Sequence, residues 1–553
     1  MCSSDLVSLE VAAQYLSPVW TGPAVTVNGV ALPTDGTGVM IDLAFDASCT
    51  ASLQVVYQDA GEIGVNLSFV GSGDLNGLTI LGGDSPVFYP AALVAQAATA
   101  GGTLLDAVAA GTGPVHAAGE DFALTVSAVN AAGVVTRGYR PQAADRLRAY
   151  VQRTGPMAGY EGVLNISAGG SVGTLPSVPS GPGDYVSSGV QPGDFVDGVY
   201  AYPAASYSEV GLLTLYLLDS DYLGHAIAAS PLPVGRFVPA GFQASGSVLN
   251  RFATAGCAGG SFTYMGEGLR LGAQLTALNR MGVVTRNYQG SFAAFDGSGF
   301  GAFAGAAGNT VGVLAAGTDL SGRLVLNGVA LSVPWAAGTA TLDIDLALQA
   351  GPAPDGPYDA TVLGLAFSDA DGVALQGLDT DVDVDGAMDH LGLGSTGFRY
   401  GRLSVGNAHG SELRDLAVPI AMQYFAGSGL VFTTHTVDNC TPIAATLLSD
   451  ADPGDALLVS DTCIVDQFAA SGANACPPGT PGTQYSATAV AGQFSASLKA
   501  PGPGKTGGLR VNVDVPTWAQ FDWSGTGSGD PSGIATFGIY NRSTDFIYQR
   551  ELR

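Results

Sequence analysis

The chain has 553 residues and a net charge of −27, with 39 Asp and 8 Glu facing only 20 Lys and Arg. No basic patch can form from so few cations, which excludes recognition of a nucleic-acid backbone. The 80 Gly, 30 Pro, 46% hydrophobic and 12% charged residues exclude a coiled coil and a disordered chain, and the longest apolar runs, such as GLLTLYLL at 211–218, fall short of the about 18 residues of a membrane span.

At about 150 residues per domain, the length predicts several domains, and the Gly-rich, weakly charged composition predicts short strands joined by turns. Residues 2–6, CSSDL, match the translated end of a common sequencing adapter. Residues 1–6 are therefore read as an artefact on a truncated frame, and Cys2 is left out of the cysteine count. Cys49, Cys257, Cys440, Cys463 and Cys476 remain. Spacings of 23 and 13 in the last three, with no C-x-x-C and no paired His, exclude a zinc site. One disulfide among Cys440, Cys463 and Cys476 is expected, which implies an oxidising compartment; buried thiols are the alternative.

A repeat organises the chain. VNAAGVVTRGY at 129–139 returns as LNRMGVVTRNY at 278–288, FYPA at 88–91 as FVPA at 237–240, and YQDAG at 57–61 as YSEVG at 207–211. Offsets of 149 and 150 across three blocks mark a duplicated unit. The predicted organisation is residues 7–85 as the C-terminal part of a truncated β unit, 86–234 and 235–397 as two full units, and 398–553 as a divergent C-terminal β-sandwich domain.

Within each unit the period is two. Phe122, Leu124, Val126 and Ala128 alternate with polar or small residues, and RLGAQLTALN (270–279) does the same in the second copy, so each is a strand with one buried face. The N-x-x-G that follows predicts a turn closed by Asn130 or Asn279 and permitted by Gly133 or Gly282. YSEVGLLTLYLLDSD (207–221) and DGPYDATVLGLAFSDADG (355–372) predict later strands. Tyr57, Tyr207 and Tyr358, each just before a strand, are candidates for a tyrosine corner, with an ordinary core-edge tyrosine as the alternative. RLSVGNAHGSELRDLAVPIAMQYFAGSGLVFTTH (402–435) carries strands in the same order.

These segments carry a resemblance. GEDFALTVSAVNAAGVVTRGY is similar to the central strands of bacterial immunoglobulin-like repeats. YSEVG, GRFVPAGF, FTYMGE, LTALNRMGVVTRNY, DGPY, YGRLSVGNAHGSEL and the closing WAQFDWSGTGSGDPSGIATFGIYNRSTDFIYQRELR resemble the C-terminal region of the MSHA pilus protein Q (MshQ-like) family, encoded with mannose-sensitive haemagglutinin type IV pili. The resemblance covers roughly residues 200–553 directly and the earlier part through the repeat. It implies an all-β tandem of immunoglobulin-like sandwiches at the surface of a Gram-negative bacterium, with type IV pilus components or a cell-surface glycan as partners. A lectin-like domain precedes this region in some members, which would place glycan recognition there.

The sharpest local signal is DTDVDVDGAMDH at 379–390. Asp381, Asp383, Asp385, Gly386 and Asp389 fit the start of a calcium loop, with the Ala387 carbonyl as a further ligand. Gly392 stands where a bidentate Glu is usual, so completion from another segment, such as Asp369 and Asp371, is expected. The alternative is a surface strand with Asp on one face. Asp219 and Asp221 form a thinner counterpart.

Enzymatic signals are weak. GGSVG at 169–173 matches G-x-S-x-G without the strand-to-helix context of a nucleophile elbow, and the five histidines show no metal-binding spacing; His390, beside the Asp cluster, is the one to test. Trp518 and Trp523 in WAQFDW, with Tyr540 and Tyr548, are candidate sugar contacts, with core packing as the alternative for Trp518 and Phe521. The sequence therefore predicts a non-catalytic adhesin or stalk, calcium-stiffened at the Asp loop. The alternatives are a glycan-binding or glycan-cleaving module and a structural filament subunit.

Overall fold

The computed structural model describes residues 6–538 apart from 20–21, 306–307, 428, 430, 444, 468–484, 524 and 526. The chain is all-β: among the described residues the helical segments are three-residue turns, and no helix is long and apolar enough to cross a membrane.

Residues 6–88 form one sheet ordered Val39–Ala44, Leu6–Ser17, Gly61–Val70, Thr79–Asp84, and a small second sheet of Val30–Ala31, Thr26–Val27 and Val55–Val56. Val11, Val27, Ile41, Leu43, Ile63 and Val65 make the core between them.

In the first full unit a single twelve-stranded sheet runs from His116–Ala117 through Leu232–Val238, Gly211–Tyr222 and Leu147–Gly155 to Phe122–Val129 and Ala92–Ala98. A bridge from Leu93 in the last of these strands to Ala229, just after the strand His225–Ala228 that pairs with Gly211–Tyr222, brings the Ala92–Ala98 end round to the other half of the sheet, which curls around its own core. Phe122–Val129 alternates buried and half-buried residues without a break, as its period of two requires. Burying Phe122, Leu124 and Val126 contributes about 1.5–3 kcal/mol each.

The second full unit is a two-layer sandwich. Gly241–Leu249, Leu269–Leu278, Thr339–Leu348 and Leu324–Ala336 form one sheet, and the other includes Leu391–Arg399, Tyr358–Ala366 and Thr310–Ala315. Leu271, Leu275, Leu342, Ile344, Val313 and Leu363 meet between them. The C-terminal domain repeats the plan, with Gly401–Val405, Leu416–Phe425 and Gln493–Leu498 facing Ser532–Phe537, Gly507–Asp514 and Ala445–Asp450.

The units are joined with almost no slack. Val87–Phe88 pairs with the N-terminal sheet and the next strand starts at Ala92; Leu232–Val238 stays with the first full unit and the next strand starts at Gly241; between Leu391–Arg399 and Gly401–Val405 there is one residue, Tyr400.

A disulfide ties the last two units. Cys257 of the second full unit is bonded to Cys440 of the C-terminal domain, 183 residues away, so Cys440 is not available to Cys463 or Cys476. Cys463 and Cys49 are themselves disulfide-bonded, and Cys476 lies outside the described residues. Beside the bridge, the buried Arg251 guanidinium reaches Glu267 at 3.0 Å, Asp438 at 2.9 Å and the Thr441 hydroxyl at 2.6 Å. These three partners, two acidic and one neutral, satisfy a charge that burial would otherwise make costly.

Tyr207 and Tyr358, two of the three candidates, take the core-edge alternative rather than a tyrosine corner. Tyr358 donates to the Asp355 carboxylate at 2.8 Å rather than to an upstream carbonyl, and Tyr207 is buried among Phe237 and the Gly162 backbone with no such bond among the described residues.

Candidate functional site

The Asp-rich segment is a loop, not a strand. It leaves at Thr380, which bridges His390, and returns there, so residues 381–389 hang from a two-residue neck. Asp381 organises its interior: Oδ1 accepts from the Asp385 amide at 3.1 Å and Oδ2 from the Gly386 amide at 2.9 Å. Asp385 Oδ1 accepts from the Ala387 amide at 2.8 Å. Gly386 takes φ +100°, which its missing Cβ permits, whereas Val384 takes φ +60°, a left-handed backbone that a β-branched residue avoids. The loop therefore holds local strain.

This folding gathers charge. Carboxylate oxygens of Asp381, Asp383 and Asp385 lie within 4.8 Å of one another. Asp389 stands at the neck, where Oδ1 accepts from the Val382 amide at 3.0 Å and faces His390 Nδ1 at 2.9 Å, while Oδ2 is buried without a hydrogen-bond partner among the described residues. Desolvation, then the charges of Asp385, Asp389 and Asp381, push the Asp383 carboxyl above its ordinary value. A hard divalent cation with oxygen ligands is the group that fits such a set: each carboxylate oxygen that accepts one amide keeps a second lone pair, and the orphaned Asp389 oxygen needs a partner.

His390 is buried and held at both ring nitrogens, by Asp389 and by the Thr310 hydroxyl at 3.1 Å. It anchors the loop's base. Asp383, Asp385, Ala387, Asp389 and His390 line a cavity of about 430 Å³ together with Phe303, Phe367 and Leu378.

Asp369 and Asp371 do not complete the loop. Asp369 accepts from the Tyr288 hydroxyl at 2.9 Å and from the amides of Asp371 and Val373, and Asp371 is paired with Arg236. Asp219 and Asp221 are spoken for in the same way, by the Tyr139 hydroxyl at 2.9 Å and by Arg146 at 3.0 Å. Both pairs are structural because each carboxylate has found a donor inside its own fold or across a unit boundary.

The two tryptophans separate. Trp518 lies flat on Tyr264, ring planes 11° apart and centroids 5.1 Å, so its face is taken by the joint between the second full unit and the C-terminal domain and is not open to a ligand. Trp523 is 46% exposed and stands with Phe521 and Phe432 around the Arg402 guanidinium, whose carbon is 3.7 Å from the Phe432 centroid and 4.6 Å from that of Trp523. Tyr540 and Tyr548 fall outside the described residues. In GGSVG, Ser171 lies in the hairpin strand Gly170–Leu175 opposite Asn165, away from any strand-to-helix turn.

Sequence reasoning missed Tyr139, Tyr288, Asp59 and Glu209, each buried and hydrogen-bonded. Their signal was present in the repeat: a Tyr ending each eleven-residue copy, and an acid at the third position of YQDAG and YSEVG.

The fold defines a tandem β protein whose acidic loop is set in the third of four units. Family models give the finer placement. The first Ig-like domain of DUF6701, a domain of unknown function, matches residues 2–83, the third DUF6701 domain matches 209–394, and the fourth matches 399–552. The chain is built of DUF6701 domains. No curated protein matches it.

Proposed function

We propose that the chain is an extracellular, non-catalytic stalk or adhesin associated with a type IV pilus of a Gram-negative bacterium. The observation that carries this reading is the joining of successive units: connectors of one to three residues and a disulfide between the last two units suit a protein that transmits force. The disulfides favour an oxidising compartment, and the acidic surface favours an exported, soluble-faced rod. The pilus assignment is supported by the MshQ-like segments alone. Antibody against the purified chain should label intact cells in register with pili; label seen only after permeabilisation defeats the proposal.

In this reading the Asp loop binds calcium through Asp381, Asp383, Asp385, Asp389 and the Ala387 carbonyl, and stiffens the second full unit. Calorimetry with calcium on the whole chain should give heat that Asp383→Ala with Asp385→Ala removes. Equal heats from the two proteins would leave the loop a solvated surface.

The exposed Trp523 favours a second reading, glycan contact at the C-terminal domain. Binding on a glycan array that Trp523→Ala abolishes would support it; an array silent to the parent chain would dismiss it.

A further inference from the structure

The eleven-residue repeat ends each time against the unit before it. In the first full unit Asn130 Nδ2 donates to the Gln58 carbonyl at 3.0 Å, and the Gly138 amide donates to Asp59 Oδ1 at 2.8 Å. In the second full unit Asn279 Nδ2 donates to the Ser208 carbonyl at 3.1 Å, and the Arg286 and Asn287 amides donate to Glu209 Oε1 and Oε2 at 3.0 and 3.1 Å. Asn130 and Asn279, and Gly138 and Asn287, are 149 residues apart; Gln58 and Ser208, and Asp59 and Glu209, are 150 apart. Equivalent atoms thus meet at both boundaries.

We propose that the repeated turn is a docking element that recognises the Y-x-(D/E)-x-G loop of the preceding unit and fixes consecutive units in one orientation. The turn is prepared for this. Asn130 Oδ1 accepts from the Ala132 and Val134 amides at 3.0 and 3.1 Å, and Asn279 Oδ1 from the Met281 and Val283 amides at 3.0 Å, which leaves each Asn amide group pointing out of the turn as a positioned donor. Asp59 and Glu209 are buried at the boundary, where a carboxylate with backbone amides to accept is far cheaper than one without.

The second boundary is the larger. The Arg280 amide donates to the Ala118 carbonyl at 2.8 Å, Arg286 lies 3.5 Å over the Tyr160 ring, and Asn287 exchanges two hydrogen bonds with the Tyr160 backbone. Gly119 faces the turn so closely that a Cβ there would meet the Arg280 amide nitrogen at 3.3 Å. The C-terminal domain lacks the repeat, and its boundary is held by Cys257–Cys440 and Arg251 instead. The docking element therefore belongs to the repeating part of the chain, and its partner class is another unit bearing the Y-x-(D/E)-x-G loop. This inference does not depend on the pilus reading.

Single-molecule energy transfer on the full chain, with dyes on non-canonical residues at the exposed Val178 and Val325, reads the second boundary directly. The parent should give one narrow distribution. Glu209→Ala with Asn279→Asp, which keeps the turn's accepting oxygen and deletes its outward donor, should broaden it at least about twofold. Unfolding of each unit should stay at the parent's position. A folded double variant with the parent's narrow peak overturns the proposal. Should the double variant not fold, Glu209→Gln is measured in its place; it keeps the side chain's volume and only one accepting oxygen, and an unbroadened peak there overturns the proposal equally.

Discussion

Tyr288 donates its hydroxyl proton to Asp369 over 2.9 Å, and Tyr139 donates to Asp219 over the same distance at the equivalent place one unit earlier. All four residues are buried. Burial, offset in part by these hydrogen bonds, raises both carboxyls, and burial with the adjacent carboxylate raises both phenols. The pair links the repeated turn to the last strands of its own unit, as Asn130 and Asn279 link it to the unit before.

Tyr288→Phe should destabilise the second full unit by about 1–3 kcal/mol, because it leaves a buried carboxylate short of a donor. It should cost more than Tyr139→Phe. The Tyr288 oxygen also accepts from the Phe295 amide at 2.9 Å, so its loss strands a second group. Urea denaturation followed by near-ultraviolet dichroism checks the order, and equal costs would contradict it.

Arg251 should be the most sensitive position between the second full unit and the C-terminal domain. Arg251→Met keeps most of the volume and leaves Glu267 and Asp438 buried without their cation, a loss of about 3–5 kcal/mol. Replacing Cys257 and Cys440 by Ala opens a 183-residue separation and should cost about 2–5 kcal/mol. Because both act on one joint, the triple variant should cost less than the sum of the two, which a double-mutant cycle in guanidinium measures.

Acid should open the same joint. Burial holds His435 down to about 4, and the hydroxyl proton of Tyr264 goes to Asp438, so His435 Nδ1 is the donor to Tyr264 across 2.6 Å. Burial alone would raise Asp438, but Thr441 and Arg251 outweigh it and hold that carboxyl low. The unfolded chain takes up a proton at His435 first, near its ordinary value of 6.5. The contribution is therefore complete above pH 6.5 and is lost as pH falls to about 4, up to about 3 kcal/mol in all. Asp438 adds loss of the same sign at lower pH. His435→Gln should flatten the stability profile between pH 6.5 and 4; an unchanged slope would remove His435 from the account.

The period-two pattern made the strands legible: FALTVSAV buries the four residues that its alternation selects, because a half-covered sheet leaves no other solution. The turn was legible too, since N-x-x-G names both its cap and its left-handed glycine. What those residues grip was not. Asn279 meets Ser208 from 71 residues away, and Cys257 meets Cys440 from 183, and no local period records such partners. Tyr358 misled because a tyrosine before a strand has no mark that says whether its hydroxyl will find backbone or, as here, the Asp355 carboxylate. The Asp loop was readable as a cluster, whereas the commitment of Asp369 and Asp371 elsewhere depended on Tyr288 and Arg236, which only folding brings near.

The Asp loop should respond to pH and calcium in opposite senses. Without a cation, the raised Asp383 carboxyl makes the folded loop hold its proton longer than the unfolded chain does, so the contribution to stability is present below the ordinary carboxylate range and fades as pH rises through the raised value. Calcium bound at neutral pH would stand in that proton's place, its charge shared by Asp381, Asp383 and Asp385. At a hundred times the dissociation constant the gain is about 2.7 kcal/mol if the ion binds the folded loop alone. Thermal unfolding of the parent should therefore shift upward with calcium at pH 7 and less at pH 4, where the ion competes with the proton that the raised Asp383 carboxyl holds. Asp383→Asn with Asp385→Asn should unfold at the same temperature with or without calcium at both values. A calcium shift that survives in that variant would place the ion elsewhere on the acidic surface, and a parent indifferent to calcium at pH 7 would leave the strain at Val384 without the counter-charge argued for it.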